Sequence, residues 1–173
     1  MTTYFYCCPM PLDVGSVVYP SDWEHILRNY SHQTFSCTWP VLVSELVHEL
    51  VRREMFPTKP SRFRCLFLYT NENNLREFRI ASGRRRDLSY ETELLDPQAQ
   101  SHLGDWTLRN IRATDSVATV TRNAFLYWRG ISIANPELAT LSPIRIARRL
   151  RPPARWRRRR HSTASAAAVG QRS

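Results

Sequence analysis

The stretch from Thr38 to Thr70 decides the fold, and it reads TWPVLVSELVHELVRREMFPTKPSRFRCLFLYT. Its first half is typical of a helix, because Thr38 is a suitable N-cap and Pro40 fits the first helical turn. Apolar residues then recur at helical spacing and form one stripe: Val43, Leu46, Val47, Leu50, Val51 and Met55. The pattern predicts a helix that buries this stripe against the domain and leaves His48 on the helix surface.

The second half of the stretch, residues 61–69, predicts a central strand because it alternates and then becomes wholly apolar. Short aromatic or alternating segments predict further strands at residues 4–8, 17–19, 88–94, 131–133 and 144–146. A second helix is expected after the cap at Asn71, and a third from Asp115 to Gly130. Because strands and helices interleave irregularly, the predicted class is α+β, a small mixed sheet flanked by two or three helices.

Charge divides the chain into two parts. Residues 145–173 contain ten arginines and no acidic residue, whereas the remainder carries 15 basic and 15 acidic side chains. From Arg151 onward the composition is too polar for a packed core, which indicates a disordered arm. The sequence therefore predicts a neutral domain, residues 1–150, followed by an arginine-rich disordered tail, residues 151–173.

Several classes of protein are excluded by pattern. No apolar run approaches the length of a membrane-spanning helix, and the first residues lack the pattern of a secretory signal. The four cysteines have no metal-binding spacing, so we expect no metal site and a reducing, cytoplasmic location. The sequence also lacks a glycine-rich loop of the kind that cradles phosphates.

A series of short segments between residues 4 and 147 resembles a family of uncharacterised bacterial domains related to the ADP-ribosyltransferase-like superfamily. The segments are Phe5-Tyr6-Cys7, Gly15-Ser16-Val17-Val18 with Pro20, Pro60-Ser61-Arg62, Tyr90-Glu91-Thr92-Glu93 and Tyr127-Trp128-Arg129-Gly130. The similarity is one of order and spacing rather than of a single diagnostic motif. It implies a split, strongly bent sheet that holds NAD in the cleft between its two halves.

The resemblance also implies site residues. In that superfamily the first strand carries a His or Arg for the ribose, a later strand start supplies Ser or Tyr, and a final strand presents a Glu. The first-strand position falls at Tyr6 or Cys7, neither of which is His or Arg. Glu137 is the best match to the catalytic acid, and Glu91 and Glu93 are its rivals.

The remaining implied contacts concern the nucleotide. Ser61 and Arg62 match the middle element, where an arginine is able to hold the pyrophosphate in two places. Tyr127 and Trp128 would wall the nicotinamide pocket, and Glu137 would stabilise the oxocarbenium-like ribose.

Each of these residues has a structural alternative. Glu137 is also explained as an acid in the first turn of a helix, and Arg62 as a solvated strand edge. Tyr127 and Trp128 lie at helical spacing that is typical of a core, and Ser61 is suited to begin a strand.

Two hypotheses follow. The first is an enzyme, a NAD-dependent mono-ADP-ribosyltransferase that modifies a protein or nucleic acid, as a bacterial or phage effector or toxin would. The second is an inactive relative that binds nucleic acid or a partner protein through its surface and tail. For the tail we predict RNA, DNA or an acidic protein as partner, bound by Arg155, Trp156, Arg157, Arg158, Arg159 and Arg160.

Overall fold

A computed structural model of the chain describes residues 2–20, 38–112, 114–131 and 134–151. Within these ranges the fold is α+β, as predicted, with a seven-stranded sheet and three α-helices. The strands are β1 (Tyr4–Cys8), β2 (Val17–Val18), β3 (Leu66–Tyr69), β4 (Leu88–Leu94), β5 (Ser101–Asp105), β6 (Pro136–Thr140) and β7 (Ile144–Arg149). The helices are α1 (Thr38–Met55), α2 (Glu72–Ala81) and α3 (Val117–Arg129), with short 3₁₀ helices at Arg62–Arg64 and Trp106–Arg109.

The strand order is β2-β7-β4-β1-β3-β6-β5, and all six neighbouring pairs in the described ranges are antiparallel. The expectation of a mixed sheet was therefore wrong. The helical connection through α2 links β3 to β4, which run parallel to each other, but β1 lies between them and pairs antiparallel with both. A helical crossover is consequently present without a parallel neighbour pair.

The sheet curves strongly. Leu68 on β3 and Leu138 on β6 share one apolar cluster with Ile144 on β7. In a flat sheet β7 and β3 would lie about 14 Å apart, because each strand spacing is about 4.8 Å. Contact within one cluster requires the two ends of the sheet to fold toward each other.

The sheet also opens between two of its central strands. β1 pairs with β4 at five register positions, but it pairs with β3 only at Phe5 and Tyr69. The edges of β1 and β3 beyond that position are free to separate.

Helix α1 buries a mainly polar face rather than the apolar stripe predicted. Its buried residues are Ser44, Glu45, His48, Glu49 and Val51. Most of the apolar stripe is exposed, with Leu46 and Leu50 at 52% and 56%. The predictions of a buried stripe and of a surface His48 were both wrong, because buried arginines elsewhere in the fold supply partners for the polar face.

Several local predictions were confirmed and others need correction. Asn71 caps α2 by accepting from the Asn74 N–H at 2.8 Å, and Gly130 ends α3 at φ 66°.

Ser116, not Asp115, caps α3. Residues 62–64 form a 3₁₀ turn rather than a strand, and β5 and β6 were not predicted. Residues 132–133 of one predicted strand, and residues 152–173 of the predicted tail, lie outside the described residues.

Candidate functional site

Five side chains from five different elements form one hydrogen-bonded group, here named the charge cluster. Its members are Glu45 on α1, Arg62 in the first 3₁₀ helix, Arg109 at the end of the second, Tyr127 on α3 and Glu137 on β6. Four of them are at most 1% exposed, and the side chain of Arg109 is 16% exposed. The cluster contains two arginines and two glutamates, so its formal charges balance.

Arg62 is the centre of the charge cluster. Its Nε and Nη2 donate to the two carboxylate oxygens of Glu45 at 2.9 and 3.1 Å. Its Nη1 donates to Glu137 Oε1 at 2.6 Å and to the Tyr127 hydroxyl at 2.5 Å. The Tyr127 hydroxyl in turn donates to Glu137 Oε1 at 3.0 Å. This bidentate, charge-assisted arrangement fixes both carboxylates in position.

Arg109 joins the same carboxylates from the outer side. Its Nη1 donates to Glu45 Oε1 at 2.9 Å, and its Nη2 reaches Glu137 Oε2 at 3.4 Å. Its Nε lies 3.2 Å from Glu137 Oε1 as an ion pair but has no aligned hydrogen-bond acceptor. Arg109 is therefore held firmly by Glu45 and loosely by Glu137.

The protonation states follow from this geometry. Burial alone would raise the pKa of Glu45, but Arg62 and Arg109 lower that pKa to about 2. Burial also opposes ionisation of Glu137, yet Arg109 and Arg62 hold its pKa below the ordinary value. Burial raises the pKa of Tyr127 well above its ordinary value. At neutral pH the cluster thus holds two carboxylates, two guanidinium groups and a neutral phenol.

Glycine at position 104 permits this arrangement. Gly104 lies opposite Glu137 in the β5–β6 pair, and a Cβ at Gly104 would lie 2.4 Å from Cε2 of the Tyr127 ring. A larger residue at this position would therefore displace the Tyr127 ring.

His48 lies beside the cluster as a neutral residue. Its Nδ1 is 2.8 Å from the carbonyl oxygen of Ser44, so Nδ1 carries the proton and Nε2 is an unpaired acceptor. Burial, followed by the nearby Arg62, lowers the pKa of His48 to about 4. The ring packs edge-on against Tyr127 at 5.3 Å between centroids.

A cavity of about 420 Å³ lies next to the cluster, where β1 and β3 separate. Aromatic, thiol and charged side chains line it, among them Tyr6, Cys7, Glu45, Phe67, Phe78, Arg84 and Arg109. Glu45 and Arg109 belong to both the cavity wall and the charge cluster. The cavity and the cluster are therefore two parts of one candidate site.

The cavity wall offers cations and flat apolar faces rather than a nucleophile. Burial raises the pKa of Tyr6 to about 12 and that of Cys7 to about 11, so both groups stay protonated at neutral pH. The side chain of Arg84 is 41% exposed and pairs with Asp87 at 2.6 Å. Such a wall suits an aromatic, anionic small molecule.

A family model described as "Protein of unknown function (DUF2441)" matches residues 21–146, which is more than half of the chain. The chain belongs to this family. The matched range contains all five residues of the charge cluster, whereas β1 precedes it. No curated protein matches the chain.

Two further findings concern membrane-spanning helices and metal-binding groups. Within the described ranges, no helix has the length and apolar character needed to cross a membrane. In the same part of the chain, no three His, Cys, Asp or Glu side chains are grouped in a way that would hold a metal ion.

Some of the residues expected at the site do come together. Arg62, Tyr127 and Glu137 meet in the charge cluster, but they are fully buried and do not line the cavity. Tyr6 and Cys7, the first-strand residues, do line it.

Other expected residues lie elsewhere. Ser61 donates to Glu49 Oε2 at 3.0 Å, and Trp128 packs in the core and donates to the His48 carbonyl at 2.7 Å. The rival acids Glu91 and Glu93 pair with arginines of β7. The tail residues 155–160 lie outside the described residues.

Sequence reasoning missed Glu45 and Arg109. One signal was available, because Ser44, Glu45, His48 and Glu49 recur at helical spacing and form a polar stripe beside the apolar one. A polar stripe ordinarily indicates the solvent face of a helix. Arg109 carries no local signal, since its role depends on residues 45 and 137, which are distant in sequence.

Proposed function

We propose that the domain binds NAD in the cavity between β1 and β3 and is a mono-ADP-ribosyltransferase of the ADP-ribosyltransferase-like type. The observation that carries the proposal is the position of the cavity. It occupies the opening at the centre of a curved sheet, where the resemblance implies NAD in a cleft between two halves.

The order of the strands supports the same proposal. The three elements that the resemblance singles out are the first strand, the strand that follows Ser61 and Arg62, and the strand that bears Glu137. In the sheet these are β1, β3 and β6, which lie side by side. Glu137 pairs with Tyr69, which itself lines the cavity, so the implied acid lies one strand from the ligand space.

The residues present fit a dinucleotide. Arg84 and Arg109 would hold the pyrophosphate, in place of the buried Arg62. The faces of Tyr6, Phe67 and Phe78 would pack against the aromatic rings of the ligand.

The reaction would break the glycosidic bond between the ribose C1′ and the nicotinamide nitrogen. Nicotinamide leaves with the bonding electron pair, and a nucleophilic atom of the acceptor bonds to C1′ and releases its proton. A carboxylate beside the ribose stabilises the positive charge that develops on the sugar. Glu137 is ionised, as this role requires, and Arg109 would have to withdraw for Glu137 to meet the ribose.

A second function is favoured by one specific observation. Glu137 is 0% exposed and fully engaged by Arg62, Tyr127 and Arg109, and β1 carries no His or Arg. This arrangement favours an inactive relative whose carboxylate stabilises the fold, and whose surface binds nucleic acid or a partner protein.

Calorimetry with NAD tests the binding step. We expect saturable binding by the wild-type protein, and at least about tenfold weaker binding by Arg84→Gln, because one charge-assisted contact to phosphate is lost. Arg85→Gln is the matched control, since Arg85 is the neighbouring exposed arginine and does not line the cavity. A folded protein that gives no heat with NAD would refute the proposal.

Turnover separates the two functions. Labelled NAD incubated with the protein and cell lysate should give labelled macromolecules and free nicotinamide if the domain is a transferase. Glu137→Gln should then bind NAD but lose turnover. If NAD binds and neither nicotinamide nor labelled product appears, the inactive binding module is the correct function.

A further inference from the structure

The loop between α2 and β4 is held rigidly by one buried arginine. Arg79 is 9% exposed, and its guanidinium donates to the Ser89 hydroxyl at 2.8 Å. It also donates to the backbone carbonyls of Arg84, Arg85 and Asp87. The loop therefore presents its own side chains from a fixed backbone rather than from a mobile tip.

The end of β7 adjoins this loop. The backbone N–H of Leu150 donates to the carbonyl of Ser89 at 2.8 Å, and Arg149 lies opposite Tyr90 in the β4–β7 pair. Ser89 thus contacts Arg79 through its hydroxyl and Leu150 through its carbonyl. The loop and the strand end meet at one residue.

Four exposed arginines lie on the loop and the strand end that meet at Ser89, and they are here named the arginine patch: Arg85, Arg86, Arg149 and Arg151. None of the four forms an ion pair with another described residue. The situation differs farther back on β7, where Arg145 pairs with Glu93 and Arg148 with Glu91.

The acids near the patch leave it positive. Asp87 is already paired with Arg84, and Glu91 with Arg148. Glu72 lines a shallow surface depression with Arg149 and Arg151. Of these three described acids, Glu72 is the one without an arginine partner to offset the four guanidinium groups.

We propose that the arginine patch binds the phosphodiester backbone of a nucleic acid. Arg86 lies three residues before Ser89, so their Cα atoms are at most about 10 Å apart. One strand of a duplex places a phosphate every 3.4 Å of helix axis, so arginines on this loop and strand end are close enough together to contact neighbouring phosphates. Guanidinium groups bind phosphate oxygens in two places, which suits fixed arginines better than lysines.

The sequence that follows the patch favours nucleic acid over an acidic protein. The chain continues from Arg151 into Arg155 and the run at residues 157–160, with Trp156 between them. Arginines follow a phosphate backbone, and an aromatic side chain among them stacks on unpaired bases. This inference does not depend on NAD binding, because the patch lies on residues that do not line the cavity.

The test measures binding of the full chain to a labelled single-stranded RNA and to a labelled DNA duplex at several salt concentrations. Replacing Arg85, Arg86, Arg149 and Arg151 together by Gln should reduce the slope of log affinity against log salt. The expected reduction is about 2.8 for the single strand and about 3.6 for the duplex, because each phosphate contact contributes about 0.7 or 0.9.

A control variant carries the same change of charge at four exposed arginines outside the patch: Arg64, Arg76, Arg122 and Arg129. Its slope should differ from the wild-type slope by less than the contribution of one phosphate contact, which is about 0.7 for the single strand and about 0.9 for the duplex. Equal slopes for the two variants would overturn the proposal, because net charge alone would then explain the binding. Tighter binding of polyglutamate than of either nucleic acid would also overturn it and would indicate an acidic protein partner.

Discussion

The charge cluster and the arginine patch use the same side chain in opposite surroundings. Arg62 is completely buried and makes four hydrogen bonds to Glu45, Tyr127 and Glu137, whereas Arg85 and Arg149 are exposed and unpaired among the described residues. The buried arginine neutralises carboxylates of its own chain. The exposed ones leave their charge available to another molecule.

The comparison teaches that burial, and not residue type, decides what a substitution costs. A buried carboxylate that loses its arginine remains in the protein as an uncompensated charge, which is far more costly than the pair was favourable. An exposed arginine loses only a solvated charge. The two regions should therefore respond very differently to the same replacement.

The largest expected effect is at the centre of the cluster. Arg62→Met should lower the free energy of unfolding by about 3–5 kcal/mol, because Glu45 and Glu137 would then share only Arg109. Arg64→Met is the matched control, two residues away and exposed, and should change stability by less than about 0.5 kcal/mol. Urea unfolding followed by circular dichroism measures both. Equal stability of the two variants would show that the cluster is not buried in solution.

The second-largest effect is expected from acid, which should lower the free energy of unfolding through His48 beside the cluster. The pKa of His48 falls from 6.5 to about 4 on folding, so the folded state favours the neutral ring. The contribution of neutral His48 to the free energy of unfolding is fully present above pH 6.5. It is lost as the pH falls toward 4, by about 3 kcal/mol in total. Glu45, with a pKa of about 2, loses its contribution only below about pH 4.5. Unfolding free energies measured between about pH 7.5 and pH 5 should therefore decline.

Replacement of His48 tests that origin. His48→Gln cannot titrate in this range, so its unfolding free energy should decline less steeply between those two pH values than that of the wild type. Burial also lowers the pKa of His102 to about 4, so His102 should still cause part of the decline in the unfolding free energy of the variant. Identical slopes for wild type and variant would assign the acid sensitivity to other groups.

A smaller effect is expected where β5 meets the cluster. Gly104→Ala places a methyl group against the Tyr127 ring and should cost about 1–3 kcal/mol of stability through overpacking. Ser101→Ala, on the same strand but exposed, should be within about 0.5 kcal/mol of the wild type. Thermal or urea unfolding distinguishes them. A stable Gly104→Ala protein would mean that Tyr127 can leave the cluster without loss.

Many elements of the fold were predictable because local sequence patterns determine them. The alternation of residues 88–94 and the Asn71 cap each specified an element that the structure contains. The face of α1 was not predictable in the same way. Its apolar stripe obeys the usual rule, but the polar stripe is buried because Arg62 and Arg109 pair with it from distant parts of the chain.

The candidate site shows the same limit. Glu137, Arg62 and Tyr127 were chosen on the resemblance, and they do meet, although inside the protein rather than on the cavity wall. Tyr6 lines the cavity because β1 borders the opening, and its contact with a ligand stays a prediction. Which carboxylate reaches the cavity depends on side-chain packing, and sequence spacing does not contain that information.

The smallest effect on stability is expected from the tail. Deletion of residues 151–173 should leave the unfolding midpoint and any NAD binding unchanged, because Arg151 is exposed and β7 ends at Arg149. The deletion should abolish retention on nucleic acid at moderate salt. About five phosphate contacts from the tail would be lost, which reduces the salt slope by about 3.5–4.5. Arg85, Arg86 and Arg149 would keep weak binding at low salt. A truncated protein that unfolds, or that binds nucleic acid with an unchanged slope, would contradict the division into a neutral domain and a cationic tail.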